Sequence, residues 1–181
     1  MSQSAVSKRQ AHCGLAQQER VSVWLGLGSN IPARREFFLQ CAVDSLRMLF
    51  SDVRVSPVVE SRAVGGLNEP FLNLVVNCIA GCSMAELKSQ LQSIERRLHR
   101  KKGRKLITLD VDLLLYGEFC GIEDGRRIPH PDVEQHLHVL APLLALEPDL
   151  RLPGSNLLLS SLCPFNQMQK NGVHFVRWLP D

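Results

Sequence analysis

The stretch Thr108-Leu109-Asp110-Val111-Asp112-Leu113-Leu114 places two carboxylates two residues apart in an otherwise apolar run. Side chains alternate across a strand, so Asp110 and Asp112 share one face while Leu109, Val111 and Leu113 take the other. At a rise of about 3.3 Å per residue, their Cα atoms stand roughly 7 Å apart. Such a pair can hold one or two Mg2+ ions, whose remaining positions go to water and phosphate oxygens. Ions held in this way orient a nucleotide and neutralise charge that develops during transfer. The same spacing also describes a half-exposed strand with two acids on its wet face, and spacing alone leaves both readings open.

Just upstream lies a basic run, Arg96-Arg97-Leu98-His99-Arg100-Lys101-Lys102-Gly103-Arg104-Lys105, with a third of the chain's 21 Lys and Arg residues. Cations near a helix C-terminus are stabilising in themselves, so a solvated helix end is one reading. The run feeds directly into the paired aspartates, however. Cations for phosphate beside carboxylates for metal make a nucleoside-triphosphate site. RNA binding is a third possibility, but no strand carries the aromatic pattern of an RNA-binding sheet and aromatics are only 6%. Gly26-Leu27-Gly28-Ser29-Asn30 holds a GxG without the third glycine of a dinucleotide fingerprint, and no phosphate-binding Walker sequence occurs. His130, between Pro129 and Pro131, is either structural or a phosphate contact.

The elements that must carry these residues follow from periodicity. Val21 to Gly28 reads as a first strand ending at the turn Ser29-Asn30-Ile31-Pro32. Arg34 to Phe50 has apolar residues at helical spacing. Val53 to Ser61 and Phe71 to Ala80 read as strands. Ser83 and Glu86 form a capping box opening a helix with a Met84, Leu87, Leu91, Ile94, Leu98 stripe, ending near Gly103. Lys105 to Tyr116 is a fourth strand and Val133 to Leu146 a third helix. The remainder, with Pro148, Pro153 and Pro164, reads as loop-rich. The order is β-α-β-β-α-β, an α+β ferredoxin-like plan: an antiparallel sheet, helices on one face, and C-terminal additions.

Composition bounds the rest. The chain has 181 residues, 45% hydrophobic and 22% charged, with a net charge of +3. Those values suit one globular domain and argue against disorder or a generally basic nucleic-acid binder. The expected organisation is a flexible tail over 1–20 and a single domain over 21–181. No stretch reaches the 18 or so apolar residues of a membrane span, and the N-terminus is a poor signal or transit peptide, so the expected location is cytoplasmic. Cys13, Cys41, Cys78, Cys82, Cys120 and Cys163 are scattered without a CxxC pair, which favours free thiols over disulfides or zinc.

Taken in order, these pieces resemble the 6-hydroxymethyl-7,8-dihydropterin pyrophosphokinase family of folate synthesis. Gly26 to Asn30 is similar to its opening strand and turn, and Val59-Glu60-Ser61 with Val64-Gly65-Gly66 to its pterin-side loop. Glu69-Pro70-Phe71-Leu72-Asn73 resembles its PxFLN strand, and Ile94-Glu95 followed by Arg100 its helix end. Leu109 to Leu114 with Tyr116-Gly117 resembles its DLDLL-YG strand. Ile128-Pro129-His130-Pro131, Val139 to Leu143 and Glu147-Pro148-Asp149 resemble its C-terminal signature. The resemblance covers about residues 21–153. It implies transfer of pyrophosphate from ATP to the pterin hydroxymethyl group, giving AMP, by a monomer that needs neither membrane nor nucleic acid.

Carried over, Asp110 and Asp112 would bind two Mg2+ ions. Arg100 and His130 would hold the phosphates of the co-substrate ATP, with Glu95, Lys102, Leu113 and His136 around the nucleotide. Ser61, Val64, Phe71, Asn73 and His138 would form the pterin site, Phe71 stacking on the ring and Asn73 pairing with its donors and acceptors. Plain core packing is the other reading of Phe71. The chain departs from the family at Ile107, where an arginine is usual, and a Trp-Gly-Pro-Arg segment has no counterpart before Asp110. His99 replaces a glycine, His136 an arginine and His138 an aromatic residue. Lys102, Arg104 and Lys105 are candidates for the missing charge. The alternative these departures raise is a relative that binds pterin or nucleotide with little or no turnover.

Overall fold

Residues 20–62, 69–101, 103–162, 171–178 and 180 are described by the computed structural model. The central strand is β1 (Val21–Ser29), whose alternation sends Val23, Leu25 and Leu27 to one side and Trp24, Gly26 and Gly28 to the other. It pairs antiparallel with β4 (Phe71–Ala80) on one edge and β5 (Asp110–Tyr116) on the other. The main sheet runs β5-β1-β4-β3-β8, with β3 at Val59–Ser61 and β8 at Val173–Phe175, while β2 (Ser51–Val55) also pairs with β4.

Helices α1 (Arg35–Leu49) and α2 (Met84–Arg97) cover one face, as the ferredoxin-like plan requires. Leu39, Ala42 and Leu46 of α1 and Leu87, Leu91 and Ile94 of α2 meet Leu25, Leu74 and Val76 there. Fully burying one such leucine contributes about 1.5–3 kcal/mol. The capping box is present: the Glu86 amide donates to Ser83 Oγ, and the Ser83 amide to Glu86 Oε2 at 2.8 Å. The C-terminal additions α3 (Asp132–Gln135) and α4 (Leu137–Leu146) lie on the opposite face, where Val139, Leu140 and Leu143 pack against Trp24, Val75 and Leu114.

Several boundaries differ from expectation, each for a local reason. The strand expected over Val53–Ser61 splits because Pro57 has no N–H to give, and the Ser56 hydroxyl takes up the Val75 amide at 2.9 Å. Helix α2 stops at Arg97 rather than near Gly103. The His99 amide donates to Arg96 O and the Arg100 amide to Glu95 O, the paired bonds of a Schellman cap, with His99 in the left-handed region at φ 62°. The strand expected from Lys105 begins only at Asp110, because 105–107 is tied to the turn after β1 instead: Asn30 donates to Lys105 O at 2.9 Å and exchanges bonds with the Ile107 backbone.

The helix expected over Val133–Leu146 breaks at His136, whose backbone is extended. Beyond 153 the chain is not merely loop: one 3-10 turn spans Leu159–Leu162, and β8 adds to the sheet edge. A hairpin of β6 (Gly121–Glu123) and β7 (Arg126–Ile128) follows β5. The expected tail lies outside the described residues apart from Arg20, which pairs with Asp52. Cys41, Cys78, Cys82 and Cys120 are free, and burial pushes the Cys78 thiol up to about 12, leaving it an inert core group at neutral pH.

Candidate active site

Two cavities meet at Asp110 and Asp112. The smaller, about 270 Å³, opens on the β1 and β4 face and is lined by Gly28, Ser61, Phe71, Asn73, His136 and His138. The larger, about 750 Å³, lies between α2, β5 and the β6–β7 hairpin and is lined by Glu95, Arg96, Arg100, Leu113, Arg126 and His130. Both aspartates line both cavities. This follows from strand alternation: Leu109, Val111 and Leu113 enter the helix-side core, which turns the two acids outward between them. Opposite them in register stand Gly28 and Gly26, which place no side chain over the carboxylates.

In the larger cavity the α2 cap sets the geometry. It ends the helix so that Arg100 Nη2 reaches Asp110 Oδ1 at 3.1 Å. Glu95, in the last turn, accepts the Val111 amide at 3.2 Å. Burial holds the Glu95 carboxyl above its usual range, and the charges of Asp110 and Asp112 add to that, while the Val111 amide and Arg100 oppose it. Asp112 is likewise held up, first by burial, then by Asp110 and Asp132, against the pull of His130 and Arg126. The pair therefore concentrates negative charge that a cation would relieve.

His130 is fixed by its own backbone, whose amide donates to Leu114 O at 2.9 Å. Its Nδ1 accepts the Asp132 amide at 3.3 Å, which assigns the ring proton to Nε2. Asp132 Oδ1 stands 3.7 Å from His130 Nδ1 and 3.7 Å from His136 Nε2. With Nδ1 already accepting, the first of these is proximity rather than an ion pair. The His136 and His138 rings stack with centroids 5.2 Å apart. Burial lowers the His138 pKa and His136 adds to this, against the opposing charge of Asp132.

In the smaller cavity Asn73 Nδ2 donates to Ser61 Oγ at 2.9 Å. Phe71 is half-buried, lines the cavity and is a member of none of the three core clusters. Ser61, Phe71, Asn73 and His138 thus come together as expected, and so do Glu95, Arg100, Leu113 and His130. His136, expected beside the nucleotide, lines the smaller cavity instead. Val64 and Lys102 lie outside the described residues. Arg104 and Lys105, offered as substitutes for the missing charge, are exposed and line neither cavity. Arg126 on β7 lines the larger one. The signal for its hairpin was Asp124-Gly125, which adopt φ 50° and 73° as a two-residue hairpin turn demands. Asp132 carried no sequence signal of its own.

The donor set fits a hard divalent cation. Among the described residues no third His, Cys, Asp or Glu completes a ligand cluster with the two aspartates. Mg2+ is commonly held that way, by one or two carboxylates with water and substrate phosphates. Asp110 and Asp112 would be those carboxylates.

Comparison with known proteins shows the fold and the family. The fold matches that of the crystal structure of Plasmodium falciparum HPPK-DHPS wild type with a TM-score of 0.71 at 11% identity, over 89% of this chain and 49% of that one. The chain thus spans about half of that solved protein, and the likeness is one of fold. The family model for 7,8-dihydro-6-hydroxymethylpterin-pyrophosphokinase (HPPK) matches residues 24–148. The chain is 34% identical over 155 residues to a Pseudomonas aeruginosa protein named 2-amino-4-hydroxy-6-hydroxymethyldihydropteridine pyrophosphokinase, covering 82% of this chain and 95% of that one. A protein of the same name from Aquifex aeolicus is 30% identical over 151 residues, covering 82% and 94%. The chain belongs to the HPPK family.

Proposed function

We propose that this protein transfers pyrophosphate from ATP to the hydroxymethyl group of 6-hydroxymethyl-7,8-dihydropterin, releasing AMP, as a step of folate synthesis. The observation that carries this reading is that Asp110 and Asp112 line both cavities. Direct transfer needs the two substrates aligned within reach of each other, and these aspartates lie where the two cavities meet. ATP takes the larger cavity and the pterin the smaller.

The reaction joins the hydroxymethyl oxygen to the β-phosphorus of ATP and breaks the bond from that phosphorus to the α-phosphate oxygen. Such transfers depend on alignment and charge stabilisation more than on covalent help from the protein. Arg100, Arg126 and the Nε2–H of His130 hold phosphate oxygens, and Leu113 packs near the base. Phe71 and His138 present ring faces to the pterin, and Asn73, oriented by Ser61, pairs with its edge. Asp110 and Asp112 would hold the two Mg2+ ions, which would supply neutralisation of the phosphate charge.

The catalytic unit is residues 21–181, working as a cytoplasmic monomer. No helix among the described residues is long and apolar enough to cross a membrane. The test is Asp110→Ala and Asp112→Ala. Each should lower turnover on the order of a thousandfold or more while leaving the circular dichroism spectrum unchanged. A folded variant with wild-type turnover would sink the assignment.

A further inference from the structure

Arg35 opens α1, and its side chain is only 24% exposed. One terminal nitrogen, Nη1, meets both segments: it forms an ion pair with Glu60 Oε2 at 2.9 Å and donates to the backbone carbonyl of Pro70 at 3.0 Å. Glu60 lies in β3 immediately before Ser61, and Pro70 immediately precedes Phe71, the first residue of β4. Ser61 and Phe71 are register partners, as are Glu60 and Leu72. Leu72 belongs to the helix-side core, so Glu60 points toward α1, while Ser61 and Phe71 line the smaller cavity on the opposite face.

We infer that Arg35 is a positioning residue for the pterin half of the site, fixing from the helix side of the sheet the two segments that present Ser61 and Phe71 on the other side. This rests on the reading of the smaller cavity as the pterin site. The physical case is that β3 and β4 share only three register pairs, Val59 with Asn73, Glu60 with Leu72 and Ser61 with Phe71, at the end where the site begins. A short pairing of that kind frays unless something else holds its open end. Arg35 supplies the hold as an ion pair to one segment and a charge-assisted hydrogen bond to a carbonyl of the other. Its own anchor is firm, since Phe38 and Leu39, three and four residues on, are buried. On its far side Glu60 faces β8, where His174 Nε2 stands 3.7 Å from Glu60 Oε1. Arg35 touches neither cavity, so its effect passes through the backbone to Ser61, Asn73 and Phe71.

The test separates pterin from ATP. Arg35→Met keeps the length of the side chain and removes its donors; Arg35→Lys keeps donors able to reach both acceptors. Steady-state rates are measured with the pterin varied at saturating ATP, and the converse. Arg35→Met should raise the pterin KM about tenfold, because displacing a binding group by a fraction of an ångström costs on that order. The ATP KM and kcat should stay within about twofold, and Arg35→Lys should recover most of the loss. A pterin KM that does not change, or that rises together with the ATP KM, overturns the inference. Glu60→Gln, which removes the charge but little bulk, decides the matter where Arg35→Met does not fold: a selective rise in pterin KM supports the clamp, and no rise overturns it. Absence of pterin-dependent turnover in the wild-type protein would instead defeat the underlying assignment of function.

Discussion

Gly28 and Asn73 are register partners on β1 and β4, and a Cβ on Gly28 would stand 3.1 Å from Asn73 Oδ1. The missing side chain is what lets the Asn73 amide lie over the strand with Nδ2 on Ser61 Oγ. Gly28→Ala should displace that amide by a few tenths of an ångström, while Phe71, whose ring carbon would be 3.5 Å from the new methyl, keeps ordinary contact. The expected outcome is a pterin KM raised about tenfold, with the ATP KM nearly unchanged. Isothermal titration with the pterin alone checks it, and equal binding by the variant and the wild type would contradict it.

Asp112 is held in a setting that disfavours its charge. A carboxyl whose folded pKa is raised contributes stability that is full below its unfolded value, about 3.9, and lost as the pH rises through the folded value. Burial and Asp110 raise Asp112 in this way. Asp112→Asn should therefore raise the melting temperature at pH 7 in chelator, with the difference shrinking toward pH 3, while it removes turnover. Mg2+ with ATP should stabilise the wild type and not the variant. A variant that melts lower than wild type at pH 7 in chelator would show that Asp112 is structural.

His99 pays the cost of a left-handed backbone at φ 62° in the cap that positions Glu95 and Arg100. Glycine carries no such cost, which for other residues is roughly 1–2 kcal/mol. His99→Gly should stabilise the protein by about 1 kcal/mol, or about 2–4 °C in melting temperature at this size. Turnover should hold, because the cap bonds are backbone bonds. Denaturant melts check the gain, and a loss of stability would mean that the His99 ring makes a compensating contact.

Local chemistry made much of this legible. The alternation around Asp110 and Asp112 and the Ser83–Glu86 cap could be read directly, because each depends on neighbours a few residues away. What escaped depends on distant partners. The three residues of β8 have no pattern of their own and become a strand only against β3. Segment 105–107 looked like the start of a strand, but Asn30 claims its backbone. Asp132 and Arg126 acquire meaning only when the hairpin and α3 bring them to Asp112. The clamp made by Arg35 joins α1, β3 and β4, three elements that no local spacing connects.

Ile107 stands at a position where the family resemblance implies arginine, and the cation proposed to replace it is Arg126. Arg126 enters the larger cavity from the hairpin, beside Arg100 and His130. The most direct measurement is AMP release from ATP and Mg2+ with and without 6-hydroxymethyl-7,8-dihydropterin, for the wild type and Arg126→Ala. The account predicts AMP that depends on the pterin, reduced at least tenfold by Arg126→Ala through loss of a phosphate contact. A folded wild-type protein that binds the pterin and releases no AMP would contradict it.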